Sequence, residues 1–143
     1  MKPVIFLGLV GLLASPVYAA SGAFDGKTNL TCTVQQFFEC DSFVGCRAVA
    51  EDVAYPIRHL DVDVTKHTIK IEHLDADLTS PIKSVDVVEG KLLLQGTDSG
   101  LKGESGGGGF TMSINQDYGN MILAVAGQDV AFVGMGACIA SHR

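Results

Sequence analysis

The sequence predicts an all-β fold: a small antiparallel meander barrel of about eight strands with two disulfides. Three observations carry this reading. Short alternating or apolar runs recur between turn signals from Leu30 to Gly136, and none of them makes a convincing long helix. Four cysteines, an even number, lie beyond a leader-like N-terminus. Of the 143 residues 17 are glycine, 47% are apolar and 18% are charged, a turn-rich composition too hydrophobic for a disordered chain. A two-sheet β-sandwich is the alternative arrangement of the same strands. The length fits one domain.

The first twenty residues, MKPVIFLGLVGLLASPVYAA, read as a signal peptide. Lys2 supplies the positive end, Val4 to Leu13 the apolar stretch, and Val17-Tyr-Ala19 places small residues at the exit. The apolar stretch falls short of the ~20 residues a spanning helix needs. Residues 21–143 are then a single domain, exported to the periplasm or secreted. Sixteen acidic against ten basic residues give a charge of −6, which phosphate backbones repel, so nucleic acid is excluded as a partner class.

Leu30 to Phe38 is the first strand, although Thr33-Val-Gln-Gln36 could also open a short helix through a capping box. Asp41 to Gly45 reverses the chain and Cys46 to Val53 returns. The next hairpin pairs Ile57–Val64 with His67–His73 so that Leu60 faces Ile71 and Val62 faces Ile69 on one side. On the other side Asp61 faces Lys70 and His59 faces Glu72, so one register gives an apolar face and a charge-matched face together. Thr65-Lys66 is a poor two-residue turn, which leaves room for a longer loop. A further hairpin turns at Glu89-Gly90, with Val87 opposite Leu92 and Val85 opposite Leu94. Gly100 to Gly109 is a glycine-rich loop; Phe110 to Asn115 and Met121 to Ala126 follow as strands, and Asp129 to Gly136 is the last.

In an oxidising compartment the four cysteines form two bridges, with three possible pairings. Cys40–Cys46 across a tight reversal and Cys32–Cys138 between the first and last strands are the favoured pair. An end-to-end bridge suits a meander whose last strand returns beside its first, and closure removes exposed edges.

Chemical motifs are weak. His59, Asp61 and Asp63 share one face of a strand, but side chains in a straight row stand ~6–7 Å apart, too wide for one ion, so a solvated face is expected and no metal. Gly106 to Gly109 lacks the Lys-Ser/Thr of a phosphate loop. Gly103-Glu-Ser105-Gly-Gly107 matches the nucleophile-elbow string without its strand-to-helix setting. No enzyme activity and no cofactor are expected.

Leu30-Thr-Cys32, Phe38-Glu-Cys40 with Cys46 shortly after, Asp61 and Asp63 before a Lys-x-x-Ile hairpin, Leu93-Leu-Gln95-Gly96 and the ending Gly134-Met-Gly-Ala-Cys138 resemble a group of small uncharacterised exported proteobacterial proteins. The resemblance spans nearly all of residues 21–143 and carries over no functional residue. A fainter likeness is to periplasmic inhibitors of c-type lysozyme, although their Ser-Gly-x-x-Tyr stretch is missing here. Two functions are expected. One is a periplasmic binding protein holding a small or lipidic ligand inside the barrel, lined by Phe37, Phe38, Phe110, Met112, Met121 and Phe132. The other is a protein-binding module, such as an enzyme inhibitor or an envelope accessory protein, acting through the loops Asp41–Gly45 and Gly100–Gly109.

Overall fold

The structure, a computed structural model, describes residues 22–50, 59–72, 77–98 and 107–141. Within them every regular element is a strand: β1 (Leu30–Asp41), β2 (Gly45–Ala48), β3 (His59–Asp63), β4 (Thr68–Glu72), β5 (Asp77–Val88), β6 (Lys91–Asp98), β7 (Gly108–Asn115), β8 (Asn120–Ala126) and β9 (Val130–Ala140). The order β1-β3-β4-β5-β6-β7-β8-β9 closes when β9 pairs back onto β1, all pairs antiparallel. The result is a closed eight-stranded barrel, and β2 is an extra strand on the far half of β1. The segment at Thr33–Gln36 is strand, not helix.

Alternation fixes which side chains go inside. Leu60 pairs Ile71 and Val62 pairs Ile69, the expected register, with Leu60, Val62 and Ile69 buried and Asp61 opposite Lys70 outside. His59 stands opposite Thr33 of β1; the side chain of Glu72 and residues 57, 58 and 73 lie outside the described set. The chain crosses from Asp63 to Thr68 through four residues, the longer of the two loops considered, with His67 at φ +56°. Between β5 and β6, Glu89 and Gly90 are both left-handed, the geometry of a two-residue turn whose twist matches its strands. Val87 faces Leu92 and Val85 faces Leu94, as the sequence predicts.

Both expected disulfides are present. Cys32–Cys138 is buried in the core and locks the β1–β9 seam, where the two cysteines are direct register partners. Cys40–Cys46 staples the β1–β2 hairpin.

The interior is packed by the chain's own side chains, as small barrels allow. Leu30, Leu60, Leu92, Leu94, Met112 and Ile114 are fully buried. One end is covered by the segment before β1: Phe24 joins the core, and its carbonyl accepts a hydrogen bond from Gln116 Nε2 (2.9 Å) in the β7–β8 turn. The opposite end carries the β1–β2 hairpin and the β8–β9 turn. The leader read at residues 1–20 and most of the glycine-rich loop, residues 99–106, lie outside the described residues.

Candidate functional site

The six side chains expected to line an interior site do not share one surface. Phe110, Met112 and Met121 are core residues, exposed by 5%, 0% and 2%. Phe37 and Phe132 stack with ring centroids 5.5 Å apart and are half-buried, on the inward side near the hairpin end. Phe38 is on the outer side: it pairs with Val133 and Ala48, while Phe37 pairs with Gly134, which in turn pairs with buried Leu123. A register shift between Val34 and Gln36 sets this parity.

The β1–β2 hairpin carries a disulfide across its tip; the β7–β8 turn, where Asn115 Oδ1 accepts from the backbone N–H groups of Asp117 and Tyr118 and Gly119 is left-handed, has the same kind of turn without one. At the β1–β2 tip Phe43 is 96% exposed, the most exposed of the large apolar side chains described, and Val44 68%; Tyr118 of the β7–β8 turn stands between them at 78%. Three devices hold Phe43 and Val44 out. Cys40–Cys46 clamps the base of the tip. The Asp41 carboxylate accepts hydrogen bonds from the backbone N–H groups of Phe43 (2.8 Å) and Val44 (2.7 Å), an Asx-type turn. Gly45, at φ +83°, takes the left-handed turn back into β2. Arg47 and Glu39, cross-strand partners, form an ion pair at 2.9 Å on the other side of the hairpin from the disulfide. The N–H donors of Val44 and then Phe43, helped by the Arg47 charge, hold the Asp41 carboxyl below its ordinary range. The brace is therefore in place above the usual carboxylate pKa and is lost as pH falls through the lowered one.

The charged face of β3 and β4 is internally paired. Asp61 accepts from Thr31 Oγ1 (3.1 Å). Asp63 turns to its own loop, accepting from Thr65 Oγ1 (2.7 Å) and Lys66 N (2.9 Å) and pairing with the Lys66 ammonium (2.9 Å). Lys66 first, then the Thr65 hydroxyl, hold the Asp63 carboxyl well below the carboxylate range. His59 Nδ1 lies 3.4 Å from Thr33 Oγ1. The row is thus a set of separate local contacts on a solvated surface. Among the described residues no group of three or more His, Cys, Asp or Glu side chains is placed to hold a metal ion, and no helix is long and apolar enough to cross a membrane.

Sequence reading found the hairpin tip through its turn residues and its cysteine pair. It missed the outer face of β8 and β9, although the signal is plain: MILAVA and VAFVGMGACIA contain no charge at either parity. The chain matches no protein-family model, and comparison with curated proteins finds no relative. Of the features behind the resemblance stated above, the four-cysteine frame is visible as the two disulfides.

Proposed function

We propose that the protein is an exported, non-catalytic binding module of the bacterial periplasm that engages a protein partner through the β1–β2 tip. The observation that carries this reading is Phe43, 96% exposed on a loop that is stapled and braced. A phenyl ring left in water forgoes about 1.5–3 kcal/mol of burial. A loop already held in one conformation spends little ordering entropy on binding. Large aromatic anchors entering a partner's pocket dominate protein interfaces. The two disulfides belong to an oxidising compartment, which agrees with reading residues 1–20 as a signal peptide.

A second reading, a small or lipidic ligand at the barrel, draws on the half-buried Phe37–Phe132 stack near the hairpin end. The packing of Phe110, Met112 and Met121 into the core favours the first.

The test is a photocrosslinking residue at position 43, compared with the same residue at Thr79 on the charged face, in the producing cell. A discrete protein adduct is expected from position 43, absent from position 79 and several-fold weaker when Asp41→Ala removes the brace. Equal adducts from both positions, or none from position 43, would contradict the reading.

A further inference from the structure

The two disulfides differ in the two features that govern reduction, access and span. Cys32 and Cys138 are buried, and their bridge joins residues 106 apart. Cys46 is exposed, Cys40 is half-buried, and their bridge joins residues 6 apart. A reducing thiolate must reach a sulfur, so the enclosed bridge waits for the core to open while the accessible one does not. The long bridge also removes more freedom from the unfolded chain, and by linkage the fold keeps it oxidised more firmly.

Strand β2 has few other holds. All four of its residues are exposed, and its pairing among the described residues is with β1. The Arg47–Glu39 ion pair lies at the surface, where such pairs hold weakly. Beyond the strand, Val49 N–H donates to the Phe37 carbonyl (2.9 Å). A two-stranded ribbon with no buried face is marginal in water. The β7–β8 turn shows the alternative. It has the same Asx brace and a left-handed glycine but no bridge, and it is tied to its neighbours instead. Gln116 donates from its backbone N–H to the Gly90 carbonyl (2.9 Å) and from Nε2 to the Phe24 carbonyl, while the Gly119 carbonyl accepts from Cys138 N–H (2.8 Å). The covalent tie of β2 takes the place of contacts of that kind.

We propose that Cys40–Cys46 is a reversible redox latch: a dithiol reductant opens it in the folded protein, β2 leaves β1 and Phe43 loses its fixed position, while Cys32–Cys138 keeps the barrel closed. One thiolate of the dithiol attacks Sγ of Cys46, the more exposed partner. The Cys40–Cys46 bond breaks, and Cys40 leaves as a thiolate that takes up a proton. The second thiol of the reductant gives up its proton and displaces Cys46 from the mixed disulfide. Two electrons and two protons thus pass to the protein, and the dithiol becomes a disulfide. Strand β1 stays in place, because residues 38–41 remain paired with residues 130–133 of β9. The effect on binding rests on reading the tip as the binding element; the latch itself does not.

Dithiothreitol titration of the purified, oxidised protein tests it, with alkylation of free thiols, peptide mass spectrometry and hydrogen exchange. The expected intermediate is labelled at Cys40 and Cys46 but not at Cys32 or Cys138. Its backbone N–H groups at residues 45–49 exchange about tenfold faster or more, those of β6 and β7 are unchanged, and reoxidation restores the starting pattern. In the producing cell, Cys40→Ser with Cys46→Ser is expected to weaken the position-43 adduct several-fold. Labelling of all four cysteines together, or selective labelling with unchanged exchange at residues 45–49, would overturn the latch. An undiminished adduct from the double variant, beside faster exchange, would overturn its control of binding. Faster exchange with no position-43 adduct even from the oxidised chain would overturn the tip as the binding element and leave the latch standing.

Discussion

Replacing Cys32 and Cys138 together by alanine should lower the thermal midpoint by on the order of 15 °C, the larger of the shifts expected for the two disulfides. The bridge joins residues 106 apart in sequence, and constraining a loop of that size in the unfolded chain is worth about 5 kcal/mol in the loop-entropy model. Its position adds a second reason. Both cysteines are buried, and they are register partners on the two strands whose pairing closes the barrel. Cys40 and Cys46 are only 6 apart, so the same model assigns their bridge about half as much. Cys46 also sits on β2, the extra strand outside the barrel ring, where local opening need not unfold the core. Thermal unfolding followed by circular dichroism under non-reducing conditions separates the two pairs. An equal shift for both, or a larger one for Cys40→Ala with Cys46→Ala, would contradict the closed-barrel explanation.

Leu94→Ala should cost about 2–5 kcal/mol, whereas Leu93→Ala, the same chemical change one position earlier, should cost about 1 kcal/mol or less. Leu94 is wholly buried between Val85 and Met112 in register, and a packed barrel interior cannot collapse to fill the cavity. Leu93 lies between Asp86 and Ser113 on the outer side. Urea unfolding reads both changes. Similar costs would mean that the inward and outward assignments of β6 are wrong, and with them the filled interior.

Much of this was legible in the sequence because several local signals agree. The pairing of Leu60 with Ile71 and of Asp61 with Lys70 satisfies apolar packing and charge matching in one register, and a slip of one residue destroys both. Glu89-Gly90 fixes its hairpin because few residue pairs adopt two left-handed conformations in succession. The cysteines pointed to closure: a bridge from Cys32 to Cys138 suits a meander whose last strand returns beside its first, and Cys40 and Cys46 flank a tight reversal. Other features had no local signal. The register shift between Val34 and Gln36 places Phe37 inward and Phe38 outward, and nothing in Val34-Gln-Gln-Phe37 announces it. Phe24, which precedes the first strand read from the sequence, covers one end of the core, its carbonyl held by a turn 92 residues away in sequence. The six aromatic and methionine candidates were chosen by residue type, and type alone does not separate a core side chain from a site-lining one. The hairpin tip was named from its turn residues, whereas the Asp41 hydrogen bonds that brace it are a matter of geometry.

The central claim is that the barrel interior is filled and that binding happens on the outside. Native mass spectrometry of the purified, non-reduced protein tests it most directly. The predicted spectrum shows each chain four hydrogens lighter than its reduced form, as two disulfides require, with no small molecule retained. An apolar adduct that survives gentle ionisation and leaves on denaturation would contradict it, and would put the ligand beside the Phe37–Phe132 stack.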